Sequence, residues 1–207
     1  MTTTRIIYYY QTFIGLDDLL AEDSPSVTHI ILSSIHFGIY PITKKPYIHL
    51  NDHVPEDVRF KIVWEQLEEL SQRGVVILLM IGGAGGAYST LFENEINYQI
   101  YLQKLIDVLC NFSFIQGIEL DVEETVDPKN LQKFLRDIEK YTTYQTTSNF
   151  IYTMAPIAES LLTDTPGLGG FRYKDFLSTP EGSWITWLNV QCYFSFSYQT
   201  YHSIIQN

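Results

Sequence analysis

Cationic side chains are scarce in this chain: 13 Lys and Arg stand against 24 Asp and Glu, a formal net charge of −11, and the cations nowhere gather into a stripe. A phosphate backbone needs such a stripe, so a nucleic-acid partner is excluded and a neutral or cationic ligand fits better. Acidity by itself says little more, because a negative surface also serves solubility. Cysteine is nearly missing. Cys110 and Cys192 are the only two, with no paired or metal-ligand spacing, so both read as free thiols and no disulfide framework or zinc site is expected. No apolar run approaches the ~20 residues that span a bilayer, so no membrane partner is expected. Met1-Thr2-Thr3-Thr4-Arg5 leads straight into an apolar strand without the segments of a secretory leader. The expectation is a cytoplasmic or non-classically released protein. The glycines from Gly82 to Gly86 are followed by no Lys-Ser/Thr and no G-x-S-x-G occurs, which removes a phosphate loop and a nucleophile elbow. The five histidines, His29, His36, His49, His53 and His202, show no H-E-x-x-H spacing and receive no catalytic role.

What is present suits one folded unit. At 207 residues, with 45% hydrophobic and 18% charged residues and no linker-like stretch, the chain reads as a single domain over 1–207. The 15 Tyr and 12 Phe are many for this length; most serve a core, and some could line a carbohydrate groove.

Apolar, β-branched and aromatic runs predict six strands at Ile6 to Phe13, Val27 to Phe37, Val75 to Ile81, Ile115 to Val122, Phe150 to Ala155 and Trp187 to Phe194. Helical spacing fills the intervals. The first helix covers Pro55 to Arg73, closed by Gly74, and the second about Tyr88 to Cys110. A third begins after Asp127-Pro128, with Asp127 as N-cap and Leu131, Phe134, Leu135 and Ile138 on one face. Thr163 to Glu181 is too irregular for a simple helix and reads as a long loop holding a short one. Strand alternating with helix implies right-handed β-α-β units and a parallel sheet, open or closed into a barrel. In either, functional residues gather at the carboxyl ends of strands, where Gly82-Gly83, Glu123, Pro156 and Tyr193 fall.

Gly117-Ile118-Glu119-Leu120-Asp121-Val122-Glu123 is the segment that points to chemistry. Side chains alternate across a strand, so Glu119, Asp121 and Glu123 share one face while Ile118, Leu120 and Val122 share the other. Like charges at that spacing repel, raise at least one pKa and suit acid–base work on an ether or glycosidic oxygen. The competing reading is an acidic edge strand facing water, against which the flanking helices argue. Glu124 has the opposite parity and reads as a solvent or loop residue.

With these acids, the chain resembles glycoside hydrolase family 18, the chitinase and endo-β-N-acetylglucosaminidase family, whose signature is D-G-x-D-x-D-x-E. Here Gln116 and Glu119 replace the first two Asp, while Gly117, Asp121 and Glu123 are kept. Three further matches follow in order. Met80-Ile81-Gly82-Gly83 is similar to S-x-G-G without its Ser, and Tyr152-Thr153-Met154-Ala155-Pro156 is similar to the family's Met-Ala-Pro segment. Gln191-Cys192-Tyr193 is similar to Q-x-Y, with Phe194 where Asp or Asn is usual.

The resemblance implies an α/β fold of the (β/α)8 TIM-barrel type. About six β-α units are present, because a typical barrel needs ~250 residues and only 14 residues follow Tyr193. The unpaired edges of such a sheet call for a partner, a covering segment or homo-oligomerisation. The implied ligand is chitin or another oligosaccharide containing N-acetylglucosamine. Implied catalytic residues are Glu123 as acid and base, Asp121 orienting the acetamido nitrogen and Tyr193 holding the acetyl oxygen. Glu119, Gly82, Gly83, Met154 and Gln191 are the implied substrate-binding residues, and no metal or organic cofactor is implied. Glu119 could share a proton with Asp121, although its extra methylene moves the carboxyl by ~1.5 Å. Gly82 and Gly83 could admit a sugar against the backbone or simply form a tight turn. A non-catalytic carbohydrate-binding protein on the same scaffold stays open as the alternative, and Trp184 and Trp187 are not assigned to a sugar floor.

Overall fold

The computed structural model describes residues 4–14, 16–145, 150–163, 165–193 and 197–206. Six parallel strands lie side by side in chain order: β1 (Ile7–Tyr10), β2 (His29–Ile39), β4 (Val76–Gly82), β5 (Ile115–Asp121), β6 (Ile151–Met154) and β7 (Ile185–Leu188). β3 (Pro46–Leu50) turns back antiparallel on the far end of β2. The helices are α1 (Leu16–Ala21), α2 (Lys61–Gln72), α3 (Ala87–Leu91), α4 (Glu95–Asn111), α5 (Pro128–Gln145), α6 (Glu159–Leu162), α7 (Tyr173–Leu177) and α8 (Tyr198–Gln206). The sheet curls into part of a (β/α) barrel. β1 and β7 are its two ends, and neither pairs with a further strand among the described residues.

Strand parity builds two apolar layers. Ile30, Leu32, Ile77, Leu79, Ile118, Leu120, Tyr152 and Met154 face the helices and meet Val63, Leu67, Leu105, Phe134 and Ile138. The opposite parity faces the barrel interior, where Ile31, Leu78 and Met80 pack with Ile7, Val76, Ile151 and Trp187. Gly117 belongs to this inner face because a Cβ there would lie 2.2 Å from the Ile151 carbonyl oxygen and 2.7 Å from Leu78.

Local signals explain where the elements stop. Asp127 accepts from the Lys129 amide at 2.9 Å and opens α5 at Pro128. Gly74, at φ +90°, follows α2 in the left-handed region. The helix expected over Tyr88 to Cys110 is two helices, because Asn94 adopts an extended backbone and caps α4 through the Asn97 amide. The first expected helix begins later, at Lys61, after a 3₁₀ turn capped by Asp57. β3 was not expected: Pro46 opens it, and its alternation, with Ile48 and Leu50 buried and His49 between them, runs for only five residues.

The last strand is displaced from the expected Trp187 to Phe194. β7 begins at Ile185 and ends at Leu188, after which the chain continues beside β6 through single contacts, Asn189 N to Met154 O at 2.8 Å and Gln191 N to Pro156 O at 2.8 Å. Tyr193 therefore follows a loop rather than ending a strand, and Phe194 lies outside the described residues. The short helix expected within Thr163 to Glu181 is α7.

Candidate active site

A cavity of about 830 Å³ opens at the carboxyl ends of the strands. Asp121, Glu123, Gly82, Gly83, Gln191 and Tyr193 all line it, so three separated sequence segments converge on one cleft, and at the end of β6 Ala155 rather than Pro156 lines it. Glu119 sits one inward step below Asp121 on β5 and is fully buried.

The carboxyl groups are bound unequally. Gln191 Nε2 donates to Asp121 Oδ1 at 2.9 Å, to Glu123 Oε1 at 3.2 Å and to the Ala155 carbonyl at 2.8 Å. One amide nitrogen thus spans both acids while its own strand-like backbone is fixed against β6. Asp121 is 6% exposed, and burial, followed by the charges of Glu123 and Glu119, pushes its carboxyl up to about 7; the Gln191 bond pulls the other way. A carboxyl holding its proton near neutrality, beside a second carboxyl open to the cleft, can give and take a proton during bond cleavage. Glu119 Oε1 accepts from Tyr9 Oη at 3.0 Å, Thr153 Oγ1 at 3.4 Å and Asn189 Nδ2 at 2.5 Å. Its Oε2 is buried without a partner, no hydrogen bond joins it to Asp121, and burial raises its pKa.

The two glycines are required by their place. Gly82 has φ +97°, and a Cβ on it would lie 2.3 Å from the Asp121 carbonyl oxygen. Gly83, at φ +92°, donates its amide to that same oxygen at 2.9 Å. The tight turn is thereby pinned to the backbone of the acid strand, and it also walls the cleft.

Met154 does not join the site. It has the outward parity of β6, is fully buried, and packs in the helix-facing core; the inward neighbour that reaches the carboxyls is Thr153. Tyr193 is 65% exposed at the cleft mouth.

Several contributors escaped the sequence reading. Tyr9 shares the inward parity of Ile7 and could have been found from the alternation of Tyr8-Tyr9-Tyr10. Asn189 carried no such signal. Glu124, read as a solvent residue, is half-buried and accepts from the Tyr88 amide at the start of α3, bracing the glycine turn. Tyr173, from the irregular loop, is 2% exposed, and burial with the charges of Asp121 and Glu123 raises its pKa. His36 lines the cavity with Nε2 at 2.8 Å from Ser34 Oγ, and burial lowers its pKa. Asn51 Oδ1 accepts from the Ser34 amide at 3.2 Å and its Nδ2 donates to Gln11 O at 2.9 Å, tying two strand ends into one wall. Among the described residues no group of three or more His, Cys, Asp or Glu is arranged to hold a metal ion.

A curled parallel sheet with helices outside it and a row of inward acids on its central strand defines a partial (β/α) barrel of the glycosidase type. The sequence profile of the Glycosyl hydrolases family 18 matches residues 5–202, and the chain belongs to that family. Among solved structures it is similar to a fungal endo-β-N-acetylglucosaminidase from glycosyl hydrolase family 18, at 28% identity and TM-score 0.81, covering 98% of this chain and 73% of that one. It is also similar to the chitinase ChiC from Aspergillus fumigatus, at 27% identity and TM-score 0.83, covering 99% and 73% respectively. A family 18 chitinase from Pseudoalteromonas aurantia shares the fold at 20% identity and TM-score 0.63, covering 93% and 69%. A search of curated proteins gave no match.

Proposed function

We propose that this chain is a glycosidase that cleaves β-1,4-linked N-acetylglucosamine, in chitin or chitin-like oligosaccharides, by a substrate-assisted mechanism with retention. The observation that carries the reading is the Gln191 amide spanning Asp121 and Glu123 in the cleft wall, with Asp121 held near 7. Family 18 enzymes stand outside the two-carboxylate scheme in using the substrate's own N-acetyl group. The acetamido oxygen attacks the anomeric carbon as the glycosidic C–O bond breaks, and Glu123 delivers its proton to the leaving oxygen. Asp121 receives the acetamido N–H and stabilises the positive charge that develops on that nitrogen. Tyr193, at the cleft mouth, turns in to hold the acetyl oxygen in line for attack. Glu123, now a carboxylate, takes a proton from water as the water opens the oxazolinium ring from the face the aglycone left.

A second reading, a carbohydrate-binding protein on the same scaffold, is favoured by Glu119 standing where the family carries Asp and by Met80 standing where it carries Ser. Release from a fluorogenic N,N′-diacetylchitobioside and from soluble chitin oligomers separates the two. The enzyme reading expects turnover that Glu123→Gln reduces by at least about 10²-fold while oligomer binding persists. No turnover in either protein, with equal oligomer binding in both, would replace it by the binding reading.

A further inference from the structure

Past the end of β5 the chain stays tied to the turn that leads from β4 into α3, and one side chain there has no part in the acid–base scheme. Glu123 lines the cleft, whereas its neighbour Glu124 turns out of it and accepts from the Tyr88 amide through Oε1. Tyr88 is itself fixed: its side chain is buried and its hydroxyl donates to the Ile81 carbonyl at 2.8 Å. Its ring packs against the turn, since a Cβ on Gly82 would lie 2.6 Å from Tyr88 Cε2. The same turn reaches β5 a second time, because the Gly83 amide donates to Asp121 O at 2.9 Å. Among the described residues, the next loop backbone bond along this segment is Val126 N to Gly169 O at 3.0 Å.

We infer that Glu124 is a positioning residue for Glu123: its carboxyl and the Asp121 carbonyl clamp the stretch that carries the acid to the β4–α3 turn, with one hold on each side of Glu123. The role of Glu123 as acid rests on the glycosidase reading above; the clamp itself does not. Three features support it. Both holds end on one turn, Gly83 within it and Tyr88 at its exit, so neither side of Glu123 can shift without the other. Length is matched to the span: Oε2 lies 3.8 Å from where a Cβ on Gly86 would stand, and an Asp at this position would withdraw the carboxyl by ~1.5 Å, breaking the amide contact. Finally, the position being held is a demanding one. Gln191 Nε2 reaches Asp121 at 2.9 Å and Glu123 at 3.2 Å, so a displaced Glu123 would leave that shared donor and move its charge away from Asp121.

Two readouts test the clamp: kcat and KM on the fluorogenic N,N′-diacetylchitobioside, and the Asp121 titration followed by carboxyl carbon-13 NMR, which needs no turnover. Glu124→Ala removes the hold and should lower kcat by about 10²-fold with KM within about threefold of wild type. As the Glu123 charge moves away, the Asp121 midpoint should fall from near 7 by about half a pH unit or more. Glu124→Gln discards the charge but keeps an acceptor at the same reach, so kcat should stay within about threefold of wild type and the midpoint near 7. Should the Ala variant fail to fold, Glu124→Asp should give the same two changes in smaller measure. Ser89→Ala, which removes the bond from Ser89 Oγ to Gly86 O at 3.2 Å elsewhere in the turn, is the control and should leave both readouts at wild type. Equal falls of the midpoint in the Ala and Gln variants would overturn the inference, because the effect would then belong to the charge of Glu124. An Ala variant that is less stable yet keeps the wild-type kcat and midpoint would overturn it as well, and so would one that loses kcat with the midpoint unmoved. Absence of turnover in wild type would sink the glycosidase reading alone, and the midpoints of the Ala and Gln variants would still decide the clamp.

Discussion

Asp121→Asn should stabilise this protein at neutral and alkaline pH. Asp121 is 6% exposed, and its carboxyl is pushed from 3.8 in the unfolded chain up to about 7 by burial and by Glu123 and Glu119. The folded state therefore favours the protonated form. Below about pH 4 the group is neutral in both states and its contribution is fully present; as pH rises through 7 the native state holds a proton that the unfolded chain has released, and stability is lost. A shift of roughly 3 units at 1.36 kcal/mol each amounts to about 4 kcal/mol, complete above about pH 7. Asn keeps an oxygen that can accept from Gln191 Nε2, so the bond at 2.9 Å need not be lost.

Urea unfolding of both proteins across about pH 4 to pH 8 supplies the comparison. The Asn variant should be nearly as stable as wild type at the acid end and more stable by roughly 2–4 kcal/mol at the alkaline end. The lower bound allows for relaxation and water penetration around the buried group. In a thermal scan at the alkaline end the gap corresponds to about 2–4 °C per kcal/mol for a chain of this size. The reasoning fails if the difference does not grow with pH, or if the variant is the less stable protein above about pH 7.

Gly82→Ala places a methyl 2.3 Å from the Asp121 carbonyl oxygen at a φ of +97°, so backbone must move; unfolding at fixed pH should show a loss of about 3 kcal/mol or more, and a loss under about 1 kcal/mol would contradict the packing. Met154→Leu conserves volume in a core position and should cost under about 1.5 kcal/mol with chitin-oligomer affinity unchanged; a severalfold loss of affinity would return Met154 to the cleft.

Strand parity was the most legible information in the sequence. Alternation alone put Glu119, Asp121 and Glu123 on one face and Ile118, Leu120 and Val122 on the other, and the structure keeps that division from Gly117 onward, while Ile115, before a register shift, joins the helix-facing core. The parallel order followed from strands alternating with helices, and caps such as Asp127 and Gly74 marked real ends. Parity applied one strand further would have corrected Met154, since Thr153 and Met154 cannot both face the acids. β7 was placed late because its four residues carry no clean alternation, and because the next residues follow β6 by isolated contacts that leave no period to read. Pairings across the barrel were invisible for a different reason. Tyr9 and Asn189 are 110 and 70 residues from Glu119, and no local pattern encodes which inward groups meet at the axis.

That separation bears on how the site tolerates its own cost. Two or three carboxyls on one inward face destabilise any fold. The donors are distributed to suit: Gln191 takes the two acids that face the cleft, while Tyr9, Thr153 and Asn189 take the one below. Each acid thus draws its hydrogen bonds from side chains on or just after β1, β6 and β7, far from it in sequence, and the network couples those segments to β5. Removing Asp121's charge while keeping its acceptor should consequently relieve the fold, whereas removing the acceptor at Glu119 should loosen it.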